Sequence, residues 1–443
     1  MSTDWREEYQ KRLVSPEEAL KAVKSGDYVV MAQPEALALG LALVGRADEL
    51  KGVRIMGGGG SDLPMYDPSW YEVYPDAFQL ETSYVLPLVR ALVSQRKSDF
   101  TVSGLFGVPD TSETKPMDVF MVQVSIPDEH GFCSFGASLW KKKECARSAG
   151  VTIAEVNERM IKTYGDNFIH VSEIDYFVEH MPTGKLPGGT DILGRRTSGP
   201  GALEKTIAGY VGSLIRDGDC LEIGVGGTAE WVAQLGNLET KHDLGWHSEN
   251  TVRGIGTLVM NNVITGKYKN IHPGRAVATA VGGGTKEEMD FIDNNPIFEV
   301  YSSGYILDPR VIASHDNMVA INSAIAIDLT GQIAAESIGP VMTSGSGGQL
   351  SFAIGAYLSK GGRSIVAITS TAKDGALSRI VPMLEPGTVV STPRTLADIV
   401  VTEYGIARLK GRTQRERALE LIGIAHPDFR AELKREAERL YWP

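Results

Sequence analysis

The sequence predicts an α/β fold built as two domains, each a parallel or mixed sheet covered by helices. Three observations lead there. Short apolar runs alternate with segments of helical spacing in both halves of the chain. The stretch PTGKLPGGTDILGRRTSGPG (182–201) separates the halves and has the Gly, Pro and Thr content of a connector. A chain of 443 residues is also long enough for two or three domains of about 100–200 residues each. The boundary is placed near residue 190, giving domains 1–190 and 191–443.

In the first half, SPEEALKAV (15–23) opens with a serine N-cap, a proline at the first helical position and an acidic first turn, and is predicted as a helix. DYVVMAQ (27–33), VRIMGGGG (53–60), DFTVSGLFG (99–107) and DVFMVQVS (118–125) read as strands, with helices over 36–50 and 88–97. In the second half, TIAGYVGSLI (206–215) is helical, and DCLEIGVGG (219–227) is a strand running into a glycine turn. TAEWVAQLG (228–236) reads as a helix closed by Gly236. RSIVAITS (363–370) and DIVVTEYG (398–405) are strands, and 413–425 and 426–440 are terminal helices with charge on one face.

The formal net charge of −11 argues against a general nucleic-acid binder, which needs a basic face to neutralise phosphates. It leaves room for a local basic pocket. The three cysteines, Cys133, Cys145 and Cys220, are widely spaced, form no CxxC and suit a reducing cytosol. The eight histidines show no HExxH or HxH spacing, so no metal site is expected. The N-terminus has no apolar signal core, and no segment approaches the roughly 20 apolar residues that span a bilayer. These features predict a cytoplasmic protein with no membrane partner.

Two glycine loops stand at predicted helix starts. The glycines of EIGVGGTAEW (222–231) let backbone approach a ligand, and the helix start offers free N–H groups to an anion. The loop lacks the third glycine of GxGxxG, and tight-turn duty explains it equally well. SGSGGQLSFAIGAYLSKGG (344–362) is a second such loop, and the two together suggest a long anionic ligand gripped at two places. Lys360 lies at the far end of that helix, serving either the ligand or only the helix dipole. Asn322, in NSAIAIDLTGQI (322–333), either bonds a ligand amide or satisfies a neighbouring loop. IPDEHGFCSFGAS (126–138) packs an acid pair and a histidine into a loop and reads as structural. Glu249, in DLGWHSENTVRGIG (243–256), has no obvious ion partner, and most glutamates so placed are merely solvated.

Read together, several motifs resemble the acetyl-CoA hydrolase/transferase family. They are HSE (247–249), HPGRAVATAVGGG (272–284), DNMVAINSAIAIDLTGQI (316–333) and GSGGQLSFAIGAYLSKGGRSIVAITSTA (345–372). SRIVPMLEPGTVVSTPR (378–394), VVTEYGIARLKG (400–411) and ERALELIGIAHPDFRAEL (416–433) follow in the same order, and IPDEHGFCSFGAS and AEVNERM (154–160) match in the first half. The resemblance spans nearly the whole chain and is nearest in pattern to 4-hydroxybutyrate- and butyrate-type CoA-transferases. It implies two open α/β domains of similar CoA-transferase architecture, with the active site in the cleft between them. It implies a glutamate nucleophile at Glu249 and CoA contacts at Gly224, Val225, Gly226, Gly227 and Thr228, with Asn322, Gly347 and Lys360 following.

The activity implied is transfer of CoA from an acyl-CoA to a small carboxylic acid, by a ping-pong route through a glutamyl-CoA thioester. Coenzyme A would be a substrate, with no tightly bound cofactor and no metal. The partners implied are an acyl-CoA and a short-chain carboxylic acid, on a homodimer or a dimer of dimers. An acyl-CoA hydrolase using the same glutamate is the near alternative, and a non-catalytic acyl-CoA-binding protein the distant one. This chain departs from the family pattern at Asn250, at RGIG (253–256) and at MAQPEALALG (31–40), which lacks the usual glycine-rich approach to its proline. These segments are expected to face the acyl pocket and to set substrate choice.

Overall fold

The computed structural model describes residues 4–58, 62–102, 104, 115–181 and 199–442, and within them the apolar runs pair as sheets in two units. The first unit takes in the described residues before 182 together with 292–303, and the second takes in the remainder from 199. The boundary expected near residue 190 lies outside the described residues, as does most of the connector 182–201. Segment 292–303, which follows that boundary in sequence, groups with the first unit.

In the first unit, β1 (Tyr28–Met31), β2 (Val53–Met56), β3 (Phe78–Thr82), β4 (Ser98–Phe100), β5 (Val119–Val124), β6 (Val151–Val156) and β7 (Tyr176–Glu179) form one sheet. Its order is β7-β6-β5-β1-β2-β3-β4, and every pair is parallel. All of β5, VFMVQV, is buried, as a strand covered on both faces must be. The helix expected at 15–23 is a short one, Pro16–Ala19, continued as a 3-10 turn; the Ser15 hydroxyl accepts from the Glu18 N–H as the cap pattern requires. The helix expected over 36–50 stops at Gly45, leaving α1 (Leu37–Val44). That expected over 88–97 shortens to Arg90–Ser94, because Arg96 turns left-handed at φ 58°. Within MAQPEALALG, the Glu35 carboxylate is buried and accepts from Tyr66 OH at 2.6 Å and Gly58 N–H at 3.1 Å. In IPDEHGFCSFGAS, Asp128 Oδ1 accepts from the N–H groups of His130 and Phe132, both at 2.9 Å, the work of a turn.

The second unit contributes β8 (Cys220–Ile223), β9 (Gly245–Thr251), β10 (Ala276–Val281), β11 (Met318–Ser323), β12 (Arg363–Ala367), β13 (Ile399–Thr402) and β14 (Gly405–Arg408) to its large sheet. These run β14-β13-β12-β11-β8-β9-β10, parallel except for β14, which folds back on β13 as a hairpin. The strand expected over 398–405 therefore ends at Thr402. The unit's named helices are α2 (Ala202–Ser213), α3 (Ile255–Met260), α4 (Gln349–Leu358), α5 (Gln414–Ile424) and α6 (Pro427–Tyr441). Thr413 and Glu416 close a capping box at the start of α5. Ile327, Val366, Val400, Leu409, Leu421 and Leu433 share one buried core that takes in residues of α5 and α6.

The chain runs outward from β8 through β9 to β10, then returns to the other side of β8 to lay down β11, β12 and β13. The order thus reverses between β8 and β11. At such a switch point the connections leave in opposite directions and open a crevice at the carboxyl ends of the strands. Among the described residues no helix is long and apolar enough to cross a membrane.

Candidate active site

Three strand ends and two glycine loops converge at that crevice. Glu249 stands near the end of β9, and strand alternation puts it on the same face as His247 and opposite Ser248 and Asn250. His247 is fully buried, with Nε2 3.0 Å from the Ile306 carbonyl and its ring 4.9 Å from that of His315. Burial holds the His247 imidazole well below its ordinary range and brings His315 down to about 3, so both rings are neutral at pH 7. The histidine of the HSE motif packs against the rings of His315 and Phe352.

Glu249 sits deep, with only part of the residue open to solvent. Its Oε2 accepts from the Gly348 N–H at 2.5 Å, and Gly348 is the residue that caps the start of α4. The carboxylate occupies the end of a helix where free N–H groups and the positive dipole end favour an anion. A Cβ on Gly348 would lie 2.5 Å from Glu249 Oε2 and 2.7 Å from Leu307 Cδ2, and Gly347 has φ +49°. Glycine at 348 allows the close approach, and at 347 it suits the left-handed backbone. The second glycine loop, expected with the first to grip an anionic ligand, holds the Glu249 carboxylate at the Gly348 N–H. No cation pairs with Glu249 among the described residues, and burial raises its pKa to about 7 against the lowering effect of the Gly348 N–H.

The first glycine loop, Gly224, Val225, Gly226, Gly227 and Thr228, leaves the end of β8 and passes close to the end of β11. A Cβ on Gly224 would lie 2.2 Å from Asn322 Oδ1, and one on Gly226 would lie 3.0 Å from Ser323 Oγ. Close approach, not backbone sign, demands glycine at 224. The helix expected at 228–236 is a 3-10 turn (Ala229–Trp231) and one four-residue turn (Val232–Leu235). Two N–H groups expected to face an anion are taken: Gly226 N–H donates to Glu230 Oε1 at 3.1 Å and Ala229 N–H to Ser323 Oγ at 3.0 Å. Ser323 also joins the two loops, since its carbonyl accepts from Gln349 Nε2 at 3.3 Å.

Asn322 is buried, with Nδ2 donating to Glu222 Oε2 at 2.9 Å, and the same oxygen accepts from the Ile321 N–H at 3.2 Å. Burial, and then the charge of Glu249, push the Glu222 carboxyl far above the ordinary carboxylate range. Lys360 is not brought to this cluster. It lies past the other end of α4, whose 10 residues span about 15 Å. Its side chain is 87% exposed, with Nζ 3.7 Å from Asp316 Oδ2.

Glu222, Ser323 and Gly348 escaped the sequence reading. A glutamate inside the apolar run DCLEIG was the available signal for Glu222, because an acid on a strand covered on both faces needs a partner. Two of the segments expected at the acyl pocket, Asn250 and RGIG, lie on and just after β9. Asn250 faces away from Glu249, and a Cβ on Gly282 would lie 2.5 Å from its Oδ1. RGIG forms the entry to α3, where Glu288 Oε1 accepts from the N–H groups of Gly254 at 2.8 Å and Thr257 at 3.2 Å. Among the described residues no group of three or more His, Cys, Asp or Glu is arranged to hold a metal ion.

Fold and site together define an α/β protein that presents one desolvated carboxylate at the carboxyl ends of a parallel sheet, beside the switch point where ligands bind. The acetyl-CoA hydrolase/transferase N-terminal domain matches residues 1–183 and the corresponding C-terminal domain matches 284–437. The chain belongs to the acetyl-CoA hydrolase/transferase family. It is 41% identical over 442 residues to the 4-hydroxybutyrate coenzyme A transferase of Clostridium kluyveri, covering 99% of this chain and 100% of that one. It is 36% identical over 448 residues to the butyryl-CoA:acetate CoA-transferase of Anaerostipes caccae, covering 98% of each. The crystal structure of RipA from Yersinia pestis superposes with a TM-score of 0.90 over 100% of both chains, at 34% identity. Glu249 and the Gly224 turn lie between the two matched domains, inside the span over which these full-length relatives align.

Proposed function

We propose that this chain transfers CoA from an acyl-CoA to a carboxylic acid, with Glu249 as the nucleophile and a glutamyl-CoA thioester as the intermediate. The observation that carries this reading is the seat of Glu249, whose Oε2 is held by the Gly348 N–H and whose charge no cation neutralises among the described residues. Family membership and the names of the full-length relatives support the class of reaction. Oε1 attacks the acyl carbonyl and CoA leaves as the thiolate, giving a mixed anhydride. The thiolate then attacks Glu249 Cδ, and negative charge develops on Oε2, where the Gly348 N–H already points. Collapse expels the first acid, which carries Oε1 away, and leaves the thioester. A second carboxylate reverses both steps. One such donor contributes about 3–4 kcal/mol to the barrier when it is removed. A pKa near 7 makes Glu249 a more basic nucleophile than an ordinary carboxylate while keeping a useful fraction ionised at neutral pH.

On this reading CoA is a substrate that lies along the Gly224–Thr228 turn, Asn322 and Gly347. Lys360, an exposed cation, is left for the remote nucleotide phosphates. The thioester chemistry is self-contained and calls for no tightly held cofactor. The acceptor is a short-chain acid, and the enzyme acts in the cytoplasm as a homodimer or a dimer of dimers. The test is to mix protein and acyl-CoA without acceptor, reduce with borohydride and map the product by mass spectrometry. Modification at Glu249 is expected and, once a carboxylic acid is added, formation of the CoA thioester of that acid with no net release of free thiol. Full-rate thiol release without acceptor would make the protein a hydrolase, and no modification at Glu249 would leave it a binding protein.

A further inference from the structure

Beside the Gly224 turn the transfer chemistry leaves a deeply buried carboxyl unused. Glu222 is 1% exposed on β8, and its Oε2 receives two hydrogen bonds, from Asn322 Nδ2 at 2.9 Å and from the Ile321 N–H at 3.2 Å. We propose that Glu222 is a positioning residue for the transfer: it fixes the Asn322 amide across the β8–β11 switch point so that Oδ1 is turned toward the Gly224 turn. The orientation follows from donor and acceptor chemistry. Flipping the amide would set Oδ1 against Oε2, two acceptors face to face, and would strand Nδ2. With Nδ2 committed to Glu222, Oδ1 lies against the Gly224 Cα, where a Cβ would come within 2.2 Å. An oxygen so placed recognises an N–H donor, the group that the amides of a pantetheine arm supply. This assignment rests on the reading of Glu249 as the nucleophile of a CoA-transferase.

Glu222 performs this task as a neutral acid. Both donors converge on Oε2, which is then the carbonyl oxygen, and the proton belongs on Oε1. Burial and the neighbouring Glu249 charge act in the same direction, against a second carboxylate. The site therefore carries one negative charge, on the residue that attacks. A glutamine reproduces this arrangement, with an oxygen for the two donors and no charge, whereas leucine leaves both donors unpaired.

The experiment compares Glu222→Leu with Glu222→Gln, each alone and combined with Asn322→Ala, by steady-state kinetics and by borohydride trapping at Glu249. E222L is expected to lower kcat about 10–100-fold, and E222Q to recover it to within about threefold of wild type. In the N322A background the further loss from E222L should shrink to under about threefold, because a residue that acts through Asn322 has nothing left to position. The acid limb of kcat/KM should keep its place in E222Q, since one neutral group replaces another. Multiplicative losses in the double variant, E222Q as impaired as E222L, or an acid limb moved downward in E222Q would each overturn the proposal. If thermal melting shows E222L unfolded, the E222Q rescue and its pH limb decide alone. Trapping separates the two levels. Wild-type protein that gives no Glu249 adduct refutes the nucleophile assignment, whereas normal trapping with undiminished kcat in E222L refutes only the role of Glu222.

Discussion

Replacing Glu249 by glutamine should abolish CoA transfer and, at alkaline pH, make the protein more stable. The ordinary glutamate pKa is 4.5, and burial raises that of Glu249 to about 7. Below the lower value the carboxyl is protonated in both the folded and the unfolded chain, and its charge costs nothing. Between the two values the unfolded chain ionises while the native chain keeps its proton, so native stability falls as pH rises; above the upper value the loss is complete. The gap from 4.5 to about 7, at about 1.4 kcal/mol per pH unit, gives about 3 kcal/mol. Partial access to solvent brings the working figure to about 2–3 kcal/mol. Glutamine keeps an oxygen for the Gly348 N–H and removes the charge. Relative to wild type, E249Q should therefore gain about 2–3 kcal/mol at about pH 8.5 and under about 1 kcal/mol at about pH 5. At about 2–4 °C per kcal/mol this is roughly 5–10 °C in Tm at the higher pH. Thermal and urea unfolding of both proteins at the two pH values measure it. A gain of equal size at both pH values, or a less stable E249Q at the higher one, would refute a desolvated charge as the cause.

The same ionisation governs catalysis: kcat/KM should rise with pH through about 7 as the Glu249 proton leaves, and a rate flat down to pH 5 would contradict the raised pKa. Gly348→Ala brings a methyl group against Glu249 Oε2 and Leu307, and kcat should fall about 10²–10³-fold while the protein stays folded by circular dichroism. Arg363→Ala leaves Asp219 buried and unpaired, where Nη1 now lies 3.3 Å from Asp219 Oδ1 and Nη2 donates to the Leu214 carbonyl at 2.7 Å. Urea unfolding should show a loss of about 3–5 kcal/mol. Asn250→Ala should change relative rates across a panel of acceptor acids by less than about threefold, because the side chain faces away from Glu249 and its buried Oδ1 has no hydrogen-bond partner among the described residues.

Some parallel strands with largely apolar runs were legible from the sequence: VFMVQV in β5 and RSIVA in β12 read directly as strands. Two of the strands that escaped carry polar residues inward. β6 holds the buried Glu155, which accepts from the Ala38 N–H at 2.9 Å, and β9 ends in a polar run, GWHSENT. An isolated sequence assigns such residues to the surface, since only the folded sheet supplies their partners. The glycine loops were visible, but their tenants were not. A glycine reads alike whether it admits a ligand, as expected near 347, or a side chain arriving from a strand nearly a hundred residues away, as Glu249 does. Lys360 failed to join the cluster for a simpler reason: proximity in sequence to a loop at one end of a helix is about 15 Å of distance at the other.

The absence of an ion partner for Glu249, visible in the sequence as a puzzle, has a physical reading once the site is assembled. Under the proposed role of Glu249, a lysine or arginine at the carboxylate would lower its pKa, weaken it as a nucleophile and resist its conversion to a neutral anhydride or thioester. A backbone N–H gives orientation without a full charge, and it serves the neutral ester-like states as well as the oxyanions. Burial then sets the pKa near neutrality, and a protonated Glu222 adds hydrogen-bond direction to Asn322 with no second anion. One consequence follows for any attempt to strengthen the site. Placing a cation beside Glu249 should raise stability above pH 7, lower the acid limb of the rate and slow transfer, all three together. The stability forgone in a desolvated, unpaired carboxylate is the condition under which it reacts.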